Sequence, residues 1–253
     1  MVNILGIRLD NLKPSETLSQ LKAWLNETEQ HYLVTPNPEI ILAAQKDPEL
    51  VKVINQASLS LPDGIGLILV ARLAGKKLIR QTGSDLTPQV LALAMKQGSR
   101  VMILNRVDGL SSASSLKPVI QAQYPELDFK ILDIERSAKL SEEIKREIND
   151  YAPAILFNTL GFPEQEKLIA YNLEFLPTVK LALAVGGSFD YLSGRIDRGP
   201  KVFRQLGLEW LWRLLNAHRF ENSRARRRRI YRATIIFPLT VLRNYFSQLR
   251  TKH

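Results

Sequence analysis

Short apolar runs alternate along the chain with longer amphipathic stretches, and this alternation restricts the fold more than any other feature of the sequence. Each apolar run has about the length of a buried strand, and each stretch between two runs is long enough for a helix. Strands that alternate with helices form a mostly parallel sheet covered on both faces. The sequence therefore predicts an α/β, Rossmann-like fold, with strands at residues 4–9, 32–35, 58–61, 101–105, 129–133, 154–159 and 179–185.

Side chains that can cap helices precede several of the amphipathic stretches. Asn37 and Asp47 are each followed by proline. A capping side chain with proline at the first helical position is a typical helix start. Ser15 and Ser84 are predicted to cap the helices that follow them.

The composition excludes several kinds of site. The 253 residues include no cysteine, so disulfides, thiolate zinc sites and a cysteine nucleophile are excluded. We predict no signal peptide, and no run of about 18 apolar residues is present that would form a transmembrane helix. The three histidines are far apart and there is no HExxH or DxD motif, so a catalytic metal is not expected. Walker A, GxGxxG and GxSxG motifs are also missing.

The net charge of +10 is concentrated near the C-terminus. Residues 195–253 contain 15 Lys or Arg and 3 Asp or Glu, whereas residues 1–194 carry a net charge of −2. Sheet signals also stop near residue 194. We therefore predict an α/β catalytic core over 1–194 and a basic, amphipathic helical appendage over 195–253.

The appendage contains RARRRR at 224–229, followed by an apolar, aromatic segment over 230–246. A basic cluster beside such a segment is typical of an interfacial anchor on an anionic membrane. The predicted membrane-binding region is thus 224–246. The same basic and aromatic residues would also suit a nucleic-acid-binding protein, which is the alternative interpretation.

Polar or glycine residues follow most of the predicted strands. In parallel α/β sheets the ligand site lies beyond the carboxyl ends of the strands, so these residues are the candidates for a functional site: Thr35, Asn37, Asp63, Asn105, Asn158, Thr159, Gly186 and Gly187.

The motif LPDGIG at 61–66 places one carboxylate, Asp63, between a proline and a glycine, with apolar sequence on both sides. Asp and Gly favour turns, and this is one explanation of the motif. The other is that Asp63 is a catalytic base presented at the end of a strand.

Four further motifs have chemical potential, although each is weak alone. TPNPEI at 35–40 offers a helix N-terminus that could bind an anion or is simply capped. RQTGSDL at 80–86 places a basic residue before a helix start. GFPEQE at 161–166 opens another helix, in which Gln165 and Glu166 could be dipole partners only. VGGSFDYLSGRIDRGP at 185–200 has two glycines that let a diphosphate approach the backbone.

The order of these motifs resembles the bacterial WecG/TagA/CpsF glycosyltransferase family. The resemblance covers residues 34–246, and the last of its matching motifs is GLEWLWRLL at 207–215. The chain departs from the family at Glu164, where Lys is usual. A nucleotide-binding regulatory domain without catalysis is a third interpretation, and the presence of Asp63 argues against it.

The resemblance implies an inverting, metal-independent glycosyltransferase that needs no cofactor. It would transfer a sugar, often N-acetylmannosamine, from a UDP donor to polyprenyl-diphosphate-linked N-acetylglucosamine, with Asp63 as general base. The donor sugar and the polymer remain open, since teichoic acid, capsule and exopolysaccharide all fit.

The resemblance also implies a set of substrate-binding residues from the core and the tail: Thr35, Asn37, Arg80, Gln165, Gly186, Gly187, Arg213, Arg219 and Arg224. Thr35 and Asn37 would lie near the two sugars, and Arg80 would counter negative charge at the reacting centre. Gln165 would bind a sugar hydroxyl or acetamido group, the glycine pair would leave room for the nucleotide, and the tail arginines would meet the diphosphate.

The implied partners are the UDP-sugar donor, the lipid-linked acceptor and the anionic membrane, but no nucleic acid. The expected location is cytoplasmic, at the inner face of the cell membrane. Off the membrane, an apolar tail could cover a subunit interface, which allows a homo-oligomer in solution.

Overall fold

A computed structural model describes residues 1–205, 211–212, 228 and 230–250. Its centre is a six-stranded, fully parallel sheet with the strand order β4-β3-β8-β7-β5-β6. The strands are β3 His31–Val34, β4 Leu59–Ser60, β5 Val101–Arg106, β6 Phe129–Ile134, β7 Ile155–Asn158 and β8 Leu181–Ala184. The predicted α/β fold with a parallel sheet is confirmed.

Helices cover both faces of the sheet, and the two-residue period of the strands decides which side chains meet which helices. Leu33 and Leu183 pack in a buried cluster with residues of α1, α5 and α6. Their neighbours Val34 and Ala184 pack in a second cluster with residues of α2, α3, α4, α7 and α8. The helices are α1 Pro14–Trp24, α2 Pro38–Ala44, α3 Pro48–Gln56, α4 Ile65–Leu73, α5 Gly83–Gln97, α6 Ala113–Gln123, α7 Glu142–Tyr151, α8 Glu164–Asn172, α9 Ser188–Leu192 and α10 Lys201–Gln205.

Two of the four predicted helix caps are confirmed. The Asn37 side chain accepts hydrogen bonds from two backbone N–H groups of α2, and Asp47 caps α3 through Leu50 N. The other two predictions were each displaced by two residues. Thr82, not Ser84, caps α5, and α1 begins after Lys13, whose backbone N–H donates to Glu16. In both cases the helix begins earlier in the sequence than predicted.

The predicted strand over 4–9 was wrong, because the chain reverses within it. Leu5 and Gly6 both have positive φ, at 51° and 81°. They form the turn of a hairpin between β1 Val2–Ile4 and β2 Ile7–Leu9, which is a separate two-stranded antiparallel sheet. The hairpin still contributes buried apolar side chains to the core.

The C-terminal part of the described chain is a π-helical segment, Arg232–Ile236, that continues into α11 Phe237–Arg250. Pro238 has no N–H to donate to a preceding carbonyl, and this local loss of a hydrogen bond accounts for the irregular turn before it. Phe237 is fully buried and joins the core cluster.

In the described part of the chain, no helix is both long enough and apolar enough to cross a bilayer.

Candidate active site

The carboxyl ends of four adjacent strands, β4, β3, β8 and β7, bring most of the predicted site residues into one row. Helices leave this row in opposite directions. Residues of α2 and α8 pack on one face of the sheet, whereas Phe189 of α9 packs on the other face. Because α9 follows β8, which lies between the strands that precede α2 and α8, a crevice is expected at the end of β8. Such a crevice is the usual ligand position in an open parallel sheet.

Asp63 lies at one end of this row, in a loop fixed by the backbone on both sides. Its N–H donates to Pro36 O over 2.8 Å, and Gln81 N donates to Pro62 O over 3.0 Å. Gly64 has φ of +114°, and a Cβ there would lie 3.1 Å from Pro38 Cδ. The half-buried Asp63 carboxylate is thus carried by a loop that has little freedom to move.

Thr35 and Asn37 follow β3, directly beside the Asp63 loop. Thr35 is 7% exposed, and its hydroxyl donates to Ala184 O over 3.4 Å. Asn37 Oδ1 accepts from Glu39 N at 2.9 Å and from Ile40 N at 3.0 Å. The capping interpretation of Asn37 is therefore confirmed for its carbonyl oxygen, and its amide nitrogen is not used by the cap.

Gly186 and Gly187 follow β8 at the centre of the row. Gly186 has φ of +52°, a conformation that favours glycine. The N-terminus of α5 lies against the same loop, since a Cβ on Gly83 would be 3.2 Å from Val185 O and 3.1 Å from Ser188 Oγ. The close approach of α5 to β8 explains why glycine stands at position 83.

Gln165 is 4% exposed, in the first turn of α8, and its side chain joins two loops. Its Oε1 accepts from Gly186 N at 3.0 Å and from Gly161 N at 3.2 Å. Its Nε2 donates to Glu166 Oε1 over 2.8 Å. The structure therefore places the Gln165 side chain in contact with the glycine loop, and its predicted contact with a sugar stays a prediction.

Arg80 is half-buried and lies just before the cap of α5. Its neighbour Gln81 anchors the segment through Nε2, which donates to Leu12 O and to Thr17 Oγ1. Burial opposes ionisation of Asp85, but bonds from Thr82 and Arg198 and the nearby positive charge of Arg80 lower its pKa below the ordinary value. The Arg80 guanidinium is thus close to the first turn of α5.

Asp190 is a candidate that the sequence did not single out, although it lies within the motif VGGSFDYLSG. It is half-buried in α9. Burial raises its pKa, while hydrogen bonds to Ser111 and the positive charge of Arg106 act in the opposite direction. This carboxyl extends the row of polar groups towards the end of β5, and its partners on a separate loop could not be read from the motif alone.

Asn105, the candidate at the end of β5, uses its side chain to hold the neighbouring loop. Its Nδ2 donates to Ser111 O at 2.8 Å and to Asp133 Oδ1 at 2.6 Å. Asp133 in turn accepts from Ala113 N. These bonds fix the loop that carries Ser111 beside Asp190.

Three predicted substrate-binding residues, Arg213, Arg219 and Arg224, lie outside the described residues. The part of the appendage that is described reaches the site region through its last helix. A Cβ on Gly66 would lie 3.8 Å from Phe237 Cδ1 and 3.1 Å from Pro38 Cγ. The C-terminal helix therefore packs beside the LPDGIG loop and the start of α2.

Within the described ranges, one group of three side chains could hold a metal ion, formed by Glu27, Glu29 and His31. His31 begins β3, so this group lies at the amino-terminal edge of the sheet, opposite the row of site residues. It is not part of the candidate active site.

The fold and the row of polar groups define an α/β protein with its candidate ligand site at the carboxyl edge of a parallel sheet. The model of one family, described as the glycosyl transferase WecG/TagA/CpsF family, matches residues 2–251. The chain belongs to this family, as its motifs indicated, and it is a glycosyltransferase. The membership favours the enzyme over the two other interpretations of the sequence.

Two curated relatives carry the same name, N-acetylglucosaminyldiphosphoundecaprenol N-acetyl-beta-D-mannosaminyltransferase. The Bacillus subtilis (strain 168) protein is 30% identical over 209 residues, which cover 78% of this chain and 79% of the relative. The Staphylococcus aureus (strain NCTC 8325 / PS 47) protein is 29% identical over 222 residues, which cover 85% and 84%. The similarity thus extends over most of both chains.

Proposed function

We propose that the chain transfers N-acetylmannosamine from a UDP donor to polyprenyl-diphosphate-linked N-acetylglucosamine, with inversion at the anomeric carbon and without a metal. The names of the relatives support the sugar and the acceptor. The observation that carries the mechanism is the position of Asp63, a carboxylate in a fixed loop at the row of strand ends. Such a transfer would serve the synthesis of a cell-surface polymer, of which teichoic acid is one candidate.

Asp63 would act as the general base. The acceptor hydroxyl must lose a proton as its oxygen attacks the anomeric carbon of the donor. A carboxylate in hydrogen-bond reach of that hydroxyl can accept the proton and contributes about 10²–10⁴-fold in rate. The C–O bond to UDP breaks as the new glycosidic bond forms on the opposite face, so a single displacement inverts the configuration.

The leaving UDP gains negative charge on its β-phosphate, and this charge needs stabilisation by positive or hydrogen-bonding groups. Arg80, close to the start of α5, is the candidate within the described core. Gly186 and Gly187 would provide room for the nucleotide beside it. Arg213, Arg219 and Arg224 remain candidates from the appendage, on the resemblance alone.

The test is to supply UDP-N-acetylmannosamine and a lipid-diphosphate N-acetylglucosamine acceptor in EDTA, and to analyse the disaccharide by NMR. We expect acceptor-dependent release of UDP and a β-linked product from the α-linked donor. A product with retained configuration would contradict the single displacement. Turnover that EDTA abolishes and Mg²⁺ restores would contradict the metal-independent mechanism.

We also propose that residues 224–246 hold the enzyme on an anionic membrane, where the acceptor resides. Four apolar side chains of residues 231–242, which span the π-helical segment and the start of α11, are about half exposed and recur every three or four residues, so they lie towards one side of the helix. They are Tyr231, Ile235, Leu239 and Leu242. The contacting helix α4 exposes Leu69 and Leu73 as well. The apolar groups of residues 231–242 follow a basic cluster in the sequence, and this combination supports peripheral binding.

Vesicle flotation tests the membrane proposal with point variants that keep Phe237 in the core. We expect the wild type to float with phosphatidylglycerol vesicles and much less with phosphatidylcholine vesicles. The double variant Leu239→Glu and Leu242→Glu should lose most of this binding. The control Phe175→Glu, at an equally exposed residue of a turn after α8, should bind as the wild type does. Equal flotation of all three proteins would contradict the proposal.

A further inference from the structure

Glu166 is a buried carboxyl for which the proposed reaction has no use. It is 1% exposed, in the first turn of α8. Burial raises its pKa to about 7, so ionisation inside the protein is costly. Glutamate is almost never fully buried unless it is paired, and this one therefore requires an explanation.

Its hydrogen bond connects it to the site through one side chain. Glu166 Oε1 accepts from Gln165 Nε2 at 2.8 Å. On the other side of the same amide, Gln165 Oε1 accepts from Gly161 N and Gly186 N. A primary amide has its acceptor on one side and its donors on the other. The acceptor on Glu166 and the two N–H groups thus favour the same orientation of the Gln165 amide, with Oε1 towards the glycines and Nε2 towards Glu166.

The opposite orientation would be unfavourable at every contact. A 180° rotation about the last bond of Gln165 would place Nε2 against Gly161 N and Gly186 N, donors against donors, and leave both N–H groups without an acceptor. Buried N–H groups without a partner are costly. Both glycines have positive φ, +82° at Gly161 and +52° at Gly186, a backbone conformation in which the N–H groups of the loops after β7 and β8 both donate to this oxygen.

We propose that Glu166 is a positioning residue that holds the Gln165 amide in the orientation that joins the loops after β7 and β8, and so keeps the Gly186 loop in shape for the nucleotide of the donor. Glu166 itself touches no substrate. The part that concerns the nucleotide rests on the proposed function, whereas the joining of the loops does not.

A second buried side chain, that of Asn158, holds the backbone of Gln165. Asn158, at the end of β7, is fully buried and donates through Nδ2 to Gln165 O, while its Oδ1 accepts from Leu160 N. The backbone of Gln165 is therefore fixed independently of its side chain. Removal of Glu166 is expected to free the amide without releasing the first turn of α8.

The first experiment measures the loops in the ligand-free protein. The chain has 13 glycines, so selective ¹⁵N-glycine labelling gives a simple NMR spectrum in which exchange of each glycine N–H with solvent can be followed. In Glu166→Met we expect exchange at Gly161 and Gly186 to accelerate at least about tenfold, because their acceptor is no longer held. Gly98, at the end of α5, and the exposed-site control Glu143→Met should show wild-type rates.

Two further variants keep this test decisive. Gln165→Met removes the acceptor itself, so it should accelerate exchange at the same two glycines. Glu166→Gln can still present an acceptor oxygen to Gln165, and it should restore slow exchange. Wild-type exchange at both glycines in Glu166→Met, or a Glu166→Gln variant as fast as Glu166→Met, would overturn the proposal.

The second experiment measures steady-state kinetics with the UDP donor. Glu166→Met should raise the KM for the donor about tenfold and change kcat less than about threefold, and Glu166→Gln should recover most of the loss. In the Gln165→Met background, Glu166→Met should add less than a twofold effect, because it acts through Gln165. Multiplying effects would refute action through Gln165. If the wild type used no UDP-sugar, the proposed function would fail, and glycine exchange would still decide on the joining of the loops.

Discussion

The burial of Glu166 predicts a specific dependence of stability on pH. The pKa of this carboxyl rises from 4.5 to about 7 in the folded protein, chiefly through burial, with the negative charge of Glu164 adding to the rise and the positive charge of Arg136 opposing it. Since the folded pKa exceeds the unfolded one, the folded state binds this proton more tightly. The stabilising contribution is complete below about pH 4.5 and is lost as the pH rises through about 7.

The magnitude follows from the two pKa values. At about 1.4 kcal/mol for each tenfold change in proton affinity, the two values correspond to about 3 kcal/mol in total, most of which is lost between pH 5 and pH 8. Glutamine does not titrate, so the stability of Glu166→Gln does not include this pH-dependent contribution. The free energy of unfolding of the wild type should therefore fall by about 2–3 kcal/mol relative to Glu166→Gln over this range.

Urea denaturation of both proteins at pH 5, 6, 7 and 8 measures this difference. The control is Glu174→Gln, which removes an exposed carboxyl in the turn after α8, and its stability should follow that of the wild type at every pH. A constant difference between the wild type and Glu166→Gln from pH 5 to pH 8 would refute the reasoning from burial.

Other substitutions test the elements that shape the site. Asn37→Ala removes the cap of α2 and should cost about 1 kcal/mol of unfolding free energy, measured by urea denaturation against Asn26→Ala; no loss would contradict the cap. Gly83→Ala should cost about 1–3 kcal/mol because its Cβ meets the backbone of Val185, and an unchanged melting temperature would contradict this close contact. Phe237→Ala should cost about 3–5 kcal/mol and expose the C-terminal helix to limited proteolysis, whereas wild-type resistance would contradict its packing on the core.

Much of the fold follows from the local pattern of the sequence. Apolar runs of strand length predicted every strand of the central sheet, with bounds within a few residues, because buried parallel strands leave little choice of residue. Asn-Pro and Asp-Pro likewise predicted two helix starts. The hairpin over 2–9 escaped prediction because Leu5 takes a positive φ, which is uncommon for a residue with a side chain.

The site was predictable only in part. The rule that ligands bind at the carboxyl ends of parallel strands placed Asp63, Thr35 and Gly186 in one region. The order of the strands, which makes β4, β3, β8 and β7 neighbours, depends on contacts between distant parts of the chain and could not be read from spacing. The same holds for Gln165, whose amide reaches Gly186 across 21 positions of sequence. A sequence motif identifies a residue, but it does not show which partner the side chain contacts in the folded protein.

The turnover of Asp63→Asn tests the role of the LPDGIG motif most directly. Asparagine preserves the size of the side chain and cannot accept the proton of the acceptor hydroxyl. With UDP-N-acetylmannosamine and the lipid-linked acceptor, we expect kcat to fall by about 10²–10⁴-fold, with binding of UDP retained. The control Asp150→Asn, at an exposed residue near the end of α7, should turn over as the wild type does. An Asp63→Asn variant with wild-type kcat would show that LPDGIG is a turn and that the catalytic base lies elsewhere.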